Sequence, residues 1–174
     1  METVTLLIPS EEYAAQLEEY KNEFLVHGEN LAGGAGLELA ATIDEWLQSV
    51  ADNAQEETVH SGRVPATTLL AVRTSDNRLV GMVDIRHRLN DWLLQYGGHI
   101  GYGVRRSERR RGYVTAMLQQ ALGHCRRMGM TRVLVTCDRE NIGSARTIMK
   151  NGGVLENEIP DGDRVKQRYW IALE

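Results

Sequence analysis

The amino-acid sequence predicts a mixed α/β fold in which residues 1–174 form a single domain. The first reason is the order of its segments, because β-branched and amphipathic helical runs follow one another as β, α, α, β, β, β, α, β, α, β, β. Three successive strands before the long central helix indicate an antiparallel meander. The second reason is size, because a chain of 174 residues with 42% hydrophobic content suits one core, and domains average roughly 100–200 residues.

The first part of the chain is predicted to contain a strand, a helix and a loop. Residues 3–8 are β-branched, and aromatic residues then recur at helical spacing at Tyr13, Tyr20 and Phe24. Four glycines within residues 28–36, the glycine-rich loop, exclude regular structure. A plain connector and a mobile loop beside a substrate site are equally compatible with this composition.

The remaining elements follow from the same periodicities. An apolar helical face runs from Leu39 to Val50, although Thr42 and Glu45 also form a capping-box pattern that would start this helix later. Alternation in the third strand places Asp84 on the face opposite Val83. Further strands are predicted at residues 67–73, 79–87, 99–104, 132–137, 154–158 and 165–173, and helices at 114–128, stopped by Gly129, and at 141–151.

A strand, a basic loop and a helix start follow one another between His99 and Leu118. The loop holds five arginines within residues 105–111, the arginine loop, and ends at Gly112. The first amides of a helix have no intrahelical partner and lie at the positive end of its dipole. A glycine lets the backbone approach an anion closely, and arginines add donors. The sequence therefore predicts a phosphate or pyrophosphate site at residues 110–115.

Composition excludes several functional classes. A net charge of −4 does not favour nucleic acid or an anionic membrane as the main partner, so a solvated charged face and a nucleic-acid patch remain the weaker interpretations of the arginine loop. No apolar run is long enough to span a bilayer, and the N-terminus lacks a secretory signal. Cys125 and Cys137 fit buried free thiols in a reducing cytoplasm. No cluster has metal-ligand spacing, so no metal is expected.

The pattern Arg109-x-x-Gly112-x-Val114 resembles motif A of the GNAT superfamily of acyl-CoA-dependent N-acyltransferases, with valine where that motif has glycine or alanine. Asn141 and Ser144 match the superfamily's second motif, and the amino-acid sequence around both motifs is similar to that of a bacterial subgroup of the superfamily. The resemblance implies the GNAT fold. In that fold a mostly antiparallel twisted sheet is flanked by helices, and a V-shaped cofactor gap lies between the fourth and fifth strands.

The resemblance also implies acetyl transfer from acetyl-CoA directly to a primary amine of a small molecule, peptide or protein. Backbone amides near Gly103 and Val104 would bind the pantetheine arm, and one would polarise the thioester carbonyl. Asn141 and Ser144 would contact the same arm. The closing strands could pair across a homodimer, as they do in many relatives. The pyrophosphate would be held by Arg109, Arg110, Arg111, Gly112, Tyr113, Val114 and Thr115.

Such a reaction needs a base for the amine and an acid for the departing thiolate. His99 is the first candidate base and Asp84 the second, while a histidine satisfied by the backbone and an ion-paired aspartate are the structural alternatives. Many relatives use a tyrosine as the acid seven residues after the asparagine, where this chain has Ile148. Tyr102 is a candidate substitute, as are Cys137, Ser144 and water.

Two rival functions remain at this point. A non-catalytic acyl-CoA-binding domain is consistent with Ile148 in place of the usual tyrosine. A basic nucleic-acid-binding domain would show binding that falls steeply with salt. Cys137 as an acyl-carrying nucleophile has no base visible in the sequence.

Overall fold

A computed structural model describes residues 2–174, and its helices and strands follow the predicted order. Short 3₁₀ turns and one π-helical turn at Leu93–Gly97 connect some of them. The elements are β1 (Val4–Leu7), α1 (Ala14–Val26), α2 (Ile43–Asn53), β2 (Ala66–Arg73), β3 (Arg78–Arg86), β4 (Ile100–Val104), α3 (Tyr113–Arg127), β5 (Arg132–Asp138), α4 (Ile142–Lys150), β6 (Val154–Asp161) and β7 (Arg164–Ala172). The mixed α/β prediction is confirmed.

The strands form two antiparallel sheets, in the orders β1-β2-β3-β4 and β5-β7-β6. The sheets meet just before β4. There the amide of His99 donates to the carbonyl of Leu134 over 2.7 Å, and the amide of Leu134 donates to Nδ1 of His99 over 2.9 Å. Past this joint, within residues 2–174, β4 and β5 form no ladder with each other. The two strands therefore enclose a V-shaped gap.

Two apolar clusters cover the two faces of the first sheet. One packs α3 and α4 against the face that carries Val83 and Ile85, and it continues onto the second sheet. The other packs α1 and α2 against the opposite face, which carries Met82. This arrangement confirms the predicted alternation of β3. Tyr13, Tyr20 and Phe24, the aromatic residues at helical spacing, are buried in the second cluster. Across residues 2–174 no helix has the length and apolar character needed to cross a bilayer.

The second helix begins later than its apolar face suggested. The hydroxyl of Thr42 accepts a hydrogen bond from the amide of Glu45 over 3.1 Å, so α2 starts at Ile43. Leu39 precedes the helix and is 85% exposed. The later start of this helix is confirmed, and within residues 2–174 only the Thr42 half of the capping box is formed. The inclusion of Leu39 in the apolar face is wrong. The hydrogen bond from the Glu45 amide to the Thr42 hydroxyl therefore sets the start of α2.

The closing strand pair is longer than the sequence indicated. β6 runs through Pro160 to Asp161, beyond the predicted end of this strand at residue 158. Within residues 2–174 β6 pairs with β7 alone, so the missing N–H of Pro160 can face outward without breaking the ladder. The turn between β6 and β7 consists of Gly162 and Asp163.

Candidate functional site

A cavity of about 1240 Å³ follows the gap between β4 and β5. One end is lined by β4 and the start of α3, and the side across the gap by the end of β5 and the first turn of α4. Its other end is lined by residues from β2, β3 and the Leu93–Gly97 turn. The glycine-rich loop covers the middle. A cavity of this form can hold an extended ligand against a second, smaller one.

The glycine-rich loop lies directly on β4. A Cβ built on Gly33 would meet the Tyr102 Cα at 2.8 Å, and one on Gly103 would meet the carbonyl oxygen of Ala32 at 2.8 Å. Gly33 also has φ +74°, which disfavours any other residue there. Of the two alternatives that the composition left open, the position beside the cavity matches this geometry.

The start of α3 presents unpaired amides to the cavity. Gly112 is the N-cap with φ +80° and provides no capping side chain, and Arg110 before it has φ +65°. In residues 2–174, the amides of Tyr113, Val114 and Thr115 donate to no protein acceptor. Unpaired amides at the positive end of a 15-residue helix form an anion site. The amides at residues 113–115 are therefore free to bind an anion, as expected for residues 110–115, and the anion site itself stays a prediction.

The arginine loop is mostly neutralised by the protein's own carboxylates. Arg105 is 2% exposed and pairs with Glu19 and Glu23, each at 2.6 Å. Arg106 and Arg109 both pair with Glu29. These contacts draw on α1 and on the segment that follows it. The arginine charges that the sequence assigned to phosphate binding, or alternatively to a nucleic-acid patch, are therefore mostly neutralised by ion pairs within the protein.

Two other residues of the expected phosphate site are likewise engaged. Arg111 pairs with Glu108 at 3.3 Å and is not among the residues that line the cavity. The Tyr113 side chain is buried, and its hydroxyl donates to Glu2 over 2.7 Å. Arg111 and Tyr113 can therefore contribute only through their backbone. Among residues 2–174, Arg110 alone of the five arginines makes no ion pair and lines the cavity.

Truncation of the buried arginine is expected to cost stability. Arg105→Ala should lower the free energy of unfolding by about 2–4 kcal/mol, because it leaves two carboxylates without their cation. The partial exposure of Glu19, 52%, keeps the loss below that of a fully buried pair. Arg106→Ala is the matched control, with a side chain that is 57% exposed, and should change the value by less than about 0.5 kcal/mol. Equal urea-unfolding curves for both variants would contradict this account.

The register of β4 determines which backbone amides face the gap. Arg105 donates to the carbonyl of Val80 over 2.9 Å, and Gly103 lies opposite Met82 in the same ladder. Because hydrogen-bonded pairs alternate in antiparallel sheets, the amide of Gly103 faces β3. The amides of Tyr102 and Val104 face away from β3, into the gap. This geometry fits the role expected for Val104, whereas for Gly103 it does not, and Tyr102 takes its place.

Three candidate acid residues meet on one side of the gap. The hydroxyls of Tyr102 and Ser144 lie 2.6 Å apart, and Cys137 lines the same part of the cavity. Burial raises the pKa of Tyr102 to about 12 and also raises the pKa of the Cys137 thiol. Both groups are therefore protonated at neutral pH, which opposes a nucleophilic role for Cys137. Ile148 is fully buried in the core and takes no part in this cluster.

Asp84, in β3, lies on the face of the sheet opposite to the Tyr102 side chain. It is directly opposite Gly101 in the ladder, so its side chain and that of the next residue, Tyr102, occupy different faces of the sheet. Its carboxylate accepts from the Thr68 hydroxyl over 2.9 Å and pairs with Arg86 at 3.1 Å. Asp84 also lines the cavity. The ion pair expected as its structural alternative is thus present together with access to the cavity.

His99 is engaged in the joint between the sheets. Its Nδ1 accepts the Leu134 amide, and it is absent from the residues lining the cavity. Burial, followed by the charges of Arg86 and Arg132, lowers the pKa of His99 to about 4. The structure therefore matches the alternative of a histidine satisfied by the backbone. Its low pKa and its occupied Nδ1 both argue against the expected role as general base.

Asn141 caps the helix that carries Ser144. Its side-chain oxygen accepts from the Ser144 amide over 3.2 Å, and both residues line the cavity.

Neither motif pointed to Thr68 or Arg86, which contact Asp84. The predicted alternation of β3 did place Arg86 on the face of Asp84, and this was the one available signal.

Comparison with known families decides how this geometry is classified. The model of the GNAT acetyltransferase domain matches residues 22–154. The chain belongs to the GNAT acetyltransferase family. Both motifs and the gap between β4 and β5 lie within the matched range. A search of curated proteins found no match to this chain.

Solved structures share the GNAT fold over nearly the whole chain. The microcin C7 self-immunity acetyltransferase, in complex with acetyl-CoA and AMP, has a TM-score of 0.69 at 20% identity, with 98% of this chain and 93% of that one covered. A ribosomal-protein alpha-N-acetyltransferase in complex with coenzyme A has 0.70 at 18%, covering 98% and 94%. A Bacillus anthracis GNAT acetyltransferase has 0.65 at 19%, covering 99% and 98%.

Proposed function

We propose that this GNAT protein transfers an acetyl group from acetyl-CoA to a primary amine by direct attack within a ternary complex. The observation that carries the proposal is the set of unpaired amides at Tyr113, Val114 and Thr115, which open into the same cavity as the free edge of β4. Two solved structures of the same fold hold acetyl-CoA or coenzyme A. These features support acetyl-CoA as the co-substrate.

The site residues would divide the binding of acetyl-CoA between them. The α3 amides and Arg110 would hold the pyrophosphate, with Arg109, Arg111 and Gly112 shaping the loop around it. The Val104 and Tyr102 amides would bind the pantetheine arm, as would Asn141 and Ser144 from across the gap. One of the two β4 amides would donate to the thioester carbonyl and stabilise the charge that develops there.

Proton transfer would use the two faces of β4. We propose that Asp84 accepts the proton of the attacking amine, directly or through water, since it lies in the cavity on the face of the glycine-rich loop. The Tyr102 hydroxyl, supported by Ser144, would donate to the departing thiolate from the other face. A base on one face and an acid on the other suit a reaction in which the amine and the thiolate occupy opposite sides of the gap. We propose no proton-transfer role for His99.

A thiol-release assay with acetyl-CoA and a panel of amines, combined with calorimetry of acetyl-CoA alone, tests the proposal. Binding together with amine-dependent thiol release is the expected result. Binding without release from any amine would overturn catalysis in favour of an acyl-CoA-binding domain, which the burial of Ile148 away from the cleft would then explain. Absence of acetyl-CoA binding would overturn the assignment of the α3 amides.

A further inference from the structure

The end of the cavity lined by β2 and β3, where the proposed amine would bind beside Asp84, contains Arg86. The hydrogen-bond donors of its guanidinium are only partly paired. Arg86 Nε pairs with Asp84 at 3.1 Å, and Nη1 donates to the carbonyls of Gly97 and Gly98. Nη2 has no hydrogen-bond partner in the part of the chain that the structure describes. The side chain is 21% exposed and lines the cavity. The fold thus holds this cation rigidly and leaves one of its donors open.

The position of Nη2 relates it to the proposed reaction centre. A Cβ on Gly101 would lie 3.2 Å from Nη2, so the guanidinium packs over the β4 residue that precedes Tyr102. Asp84, the proposed base, contacts the same guanidinium. An amine beside Asp84 would therefore have Arg86 close to the substituents on its first few atoms. A Cβ at position 101 would force the guanidinium to shift by a few tenths of an ångström.

The charge around this end of the cavity is positive. Arg63 also lines it and, among residues 2–174, forms no ion pair, whereas Asp84 is already paired with Arg86. Asp138, the carboxylate across the gap, is neutralised by Lys166 at 2.9 Å and by Arg164 at 3.1 Å. A polycation such as a polyamine would find no free carboxylate among these groups. An anion would find the open Nη2 of Arg86 and the guanidinium of Arg63.

We infer that the acceptor is a small amine that carries an anionic group a few bonds from its nitrogen, and that Arg86 binds this group. A carboxylate or a phosphate supplies the required oxygens, and a guanidinium binds either one with charge-assisted hydrogen bonds. Arg86 is then the specificity-determining residue, and Arg63, which also lines the cavity, adds long-range attraction. The inference rests on the proposed acetyl transfer, because it places the amine at Asp84.

Matched pairs of amines test the inference. Thiol release is measured with each common amino acid against its carboxamide, and with 2-aminoethyl phosphate against ethanolamine, which separates carboxylate from phosphate recognition. The α-amine of the carboxamide is less basic, so intrinsic reactivity favours it, and a preference for the free acid has to come from the protein. The expected preference in kcat/KM is about tenfold or more for the anionic member.

Variants assign that preference to Arg86. Arg86→Gln should abolish it, mainly through KM, while the affinity for acetyl-CoA stays unchanged, and Arg86→Lys should restore part of it. Arg88→Gln is the matched control, because Arg88 lies two residues further on, is 52% exposed, pairs with Glu56 and is not among the residues lining the cavity. Equal use of neutral amines, or a preference for polyamines, would overturn the inference while leaving acetyl transfer intact.

A binding experiment separates this inference from the proposed activity. N-acetylated amino acids and their carboxamides are titrated into the protein in the presence of coenzyme A, so no turnover is needed. Wild-type protein should bind the acids about tenfold more tightly, and Arg86→Gln should bind both alike. Equal binding to wild-type protein would overturn the inference even if an acceptor amine were found. Thermal unfolding of each variant shows whether it is folded.

Discussion

Gly112→Asp should raise the dissociation constant for acetyl-CoA by about 100-fold or more. The new carboxylate would stand at the N-cap of α3, beside the unpaired amides proposed to hold the pyrophosphate. Like charges would then meet at short range. A Cβ at this position has no heavy atom within 4 Å, so crowding by the protein does not contribute. Calorimetric titration with acetyl-CoA measures the effect.

The other end of the same helix offers a matched control. Gly129 has φ +82° and equally open surroundings, so Gly129→Asp imposes the same backbone strain without a nearby ligand. It should bind acetyl-CoA like the wild-type protein. Gly112→Asn carries the same shape without the charge and should lose less affinity than Gly112→Asp. Unchanged affinity in Gly112→Asp would remove the proposed pyrophosphate site.

Tyr102→Phe should lower kcat by about 100-fold, the scale of a lost general acid. The substitution removes the hydroxyl that lies 2.6 Å from Ser144 and keeps the ring. Because burial raises the pKa of Tyr102 to about 12, this hydroxyl is protonated across the neutral range. The loss should therefore be uniform from pH 6 to pH 9 and should not shift either limb of the pH profile. Acetyl-CoA affinity should be retained.

Two further variants show whether the effect is chemical. Tyr13→Phe also removes a tyrosine hydroxyl, which donates to Asn77 over 2.7 Å. Neither Tyr13 nor Asn77 is among the residues lining the cavity, so this variant should leave kcat unchanged. Ser144→Ala should reduce kcat less than Tyr102→Phe, since Tyr102 keeps its proton. A kcat for Tyr102→Phe within twofold of wild type would assign the acid role to Cys137 or water.

The fold was predictable because its signals are local. The alternation of β3 and the glycine at the start of α3 each depend on neighbours within a few positions. The environment of the arginine loop was not predictable, because the carboxylates that neutralise Arg105 lie in α1, more than eighty positions earlier. A charge run shows its composition in the sequence, whereas its partners depend on the tertiary structure.

The candidate base shows the same limit at the level of single residues. The sequence favours His99 because imidazole titrates near neutral pH, but the joint with Leu134 occupies its Nδ1 and burial lowers its pKa. Asp84 is the second candidate, and only the register with Gly101 shows that its side chain lies on the face of the sheet opposite to Tyr102. The choice between them depended on strand pairing, which periodicity does not determine.

The divergence of β5 makes β4 an inner edge strand, and within residues 2–174 no neighbouring strand pairs with the backbone donors of Tyr102 and Val104. A ligand in the gap would take the place of that missing strand. By thermodynamic linkage, saturation at a hundred times the dissociation constant would add about 2.7 kcal/mol to the free energy of unfolding. The concentration of the co-substrate would then influence the stability of the packing between the two sheets as well as the rate of the reaction.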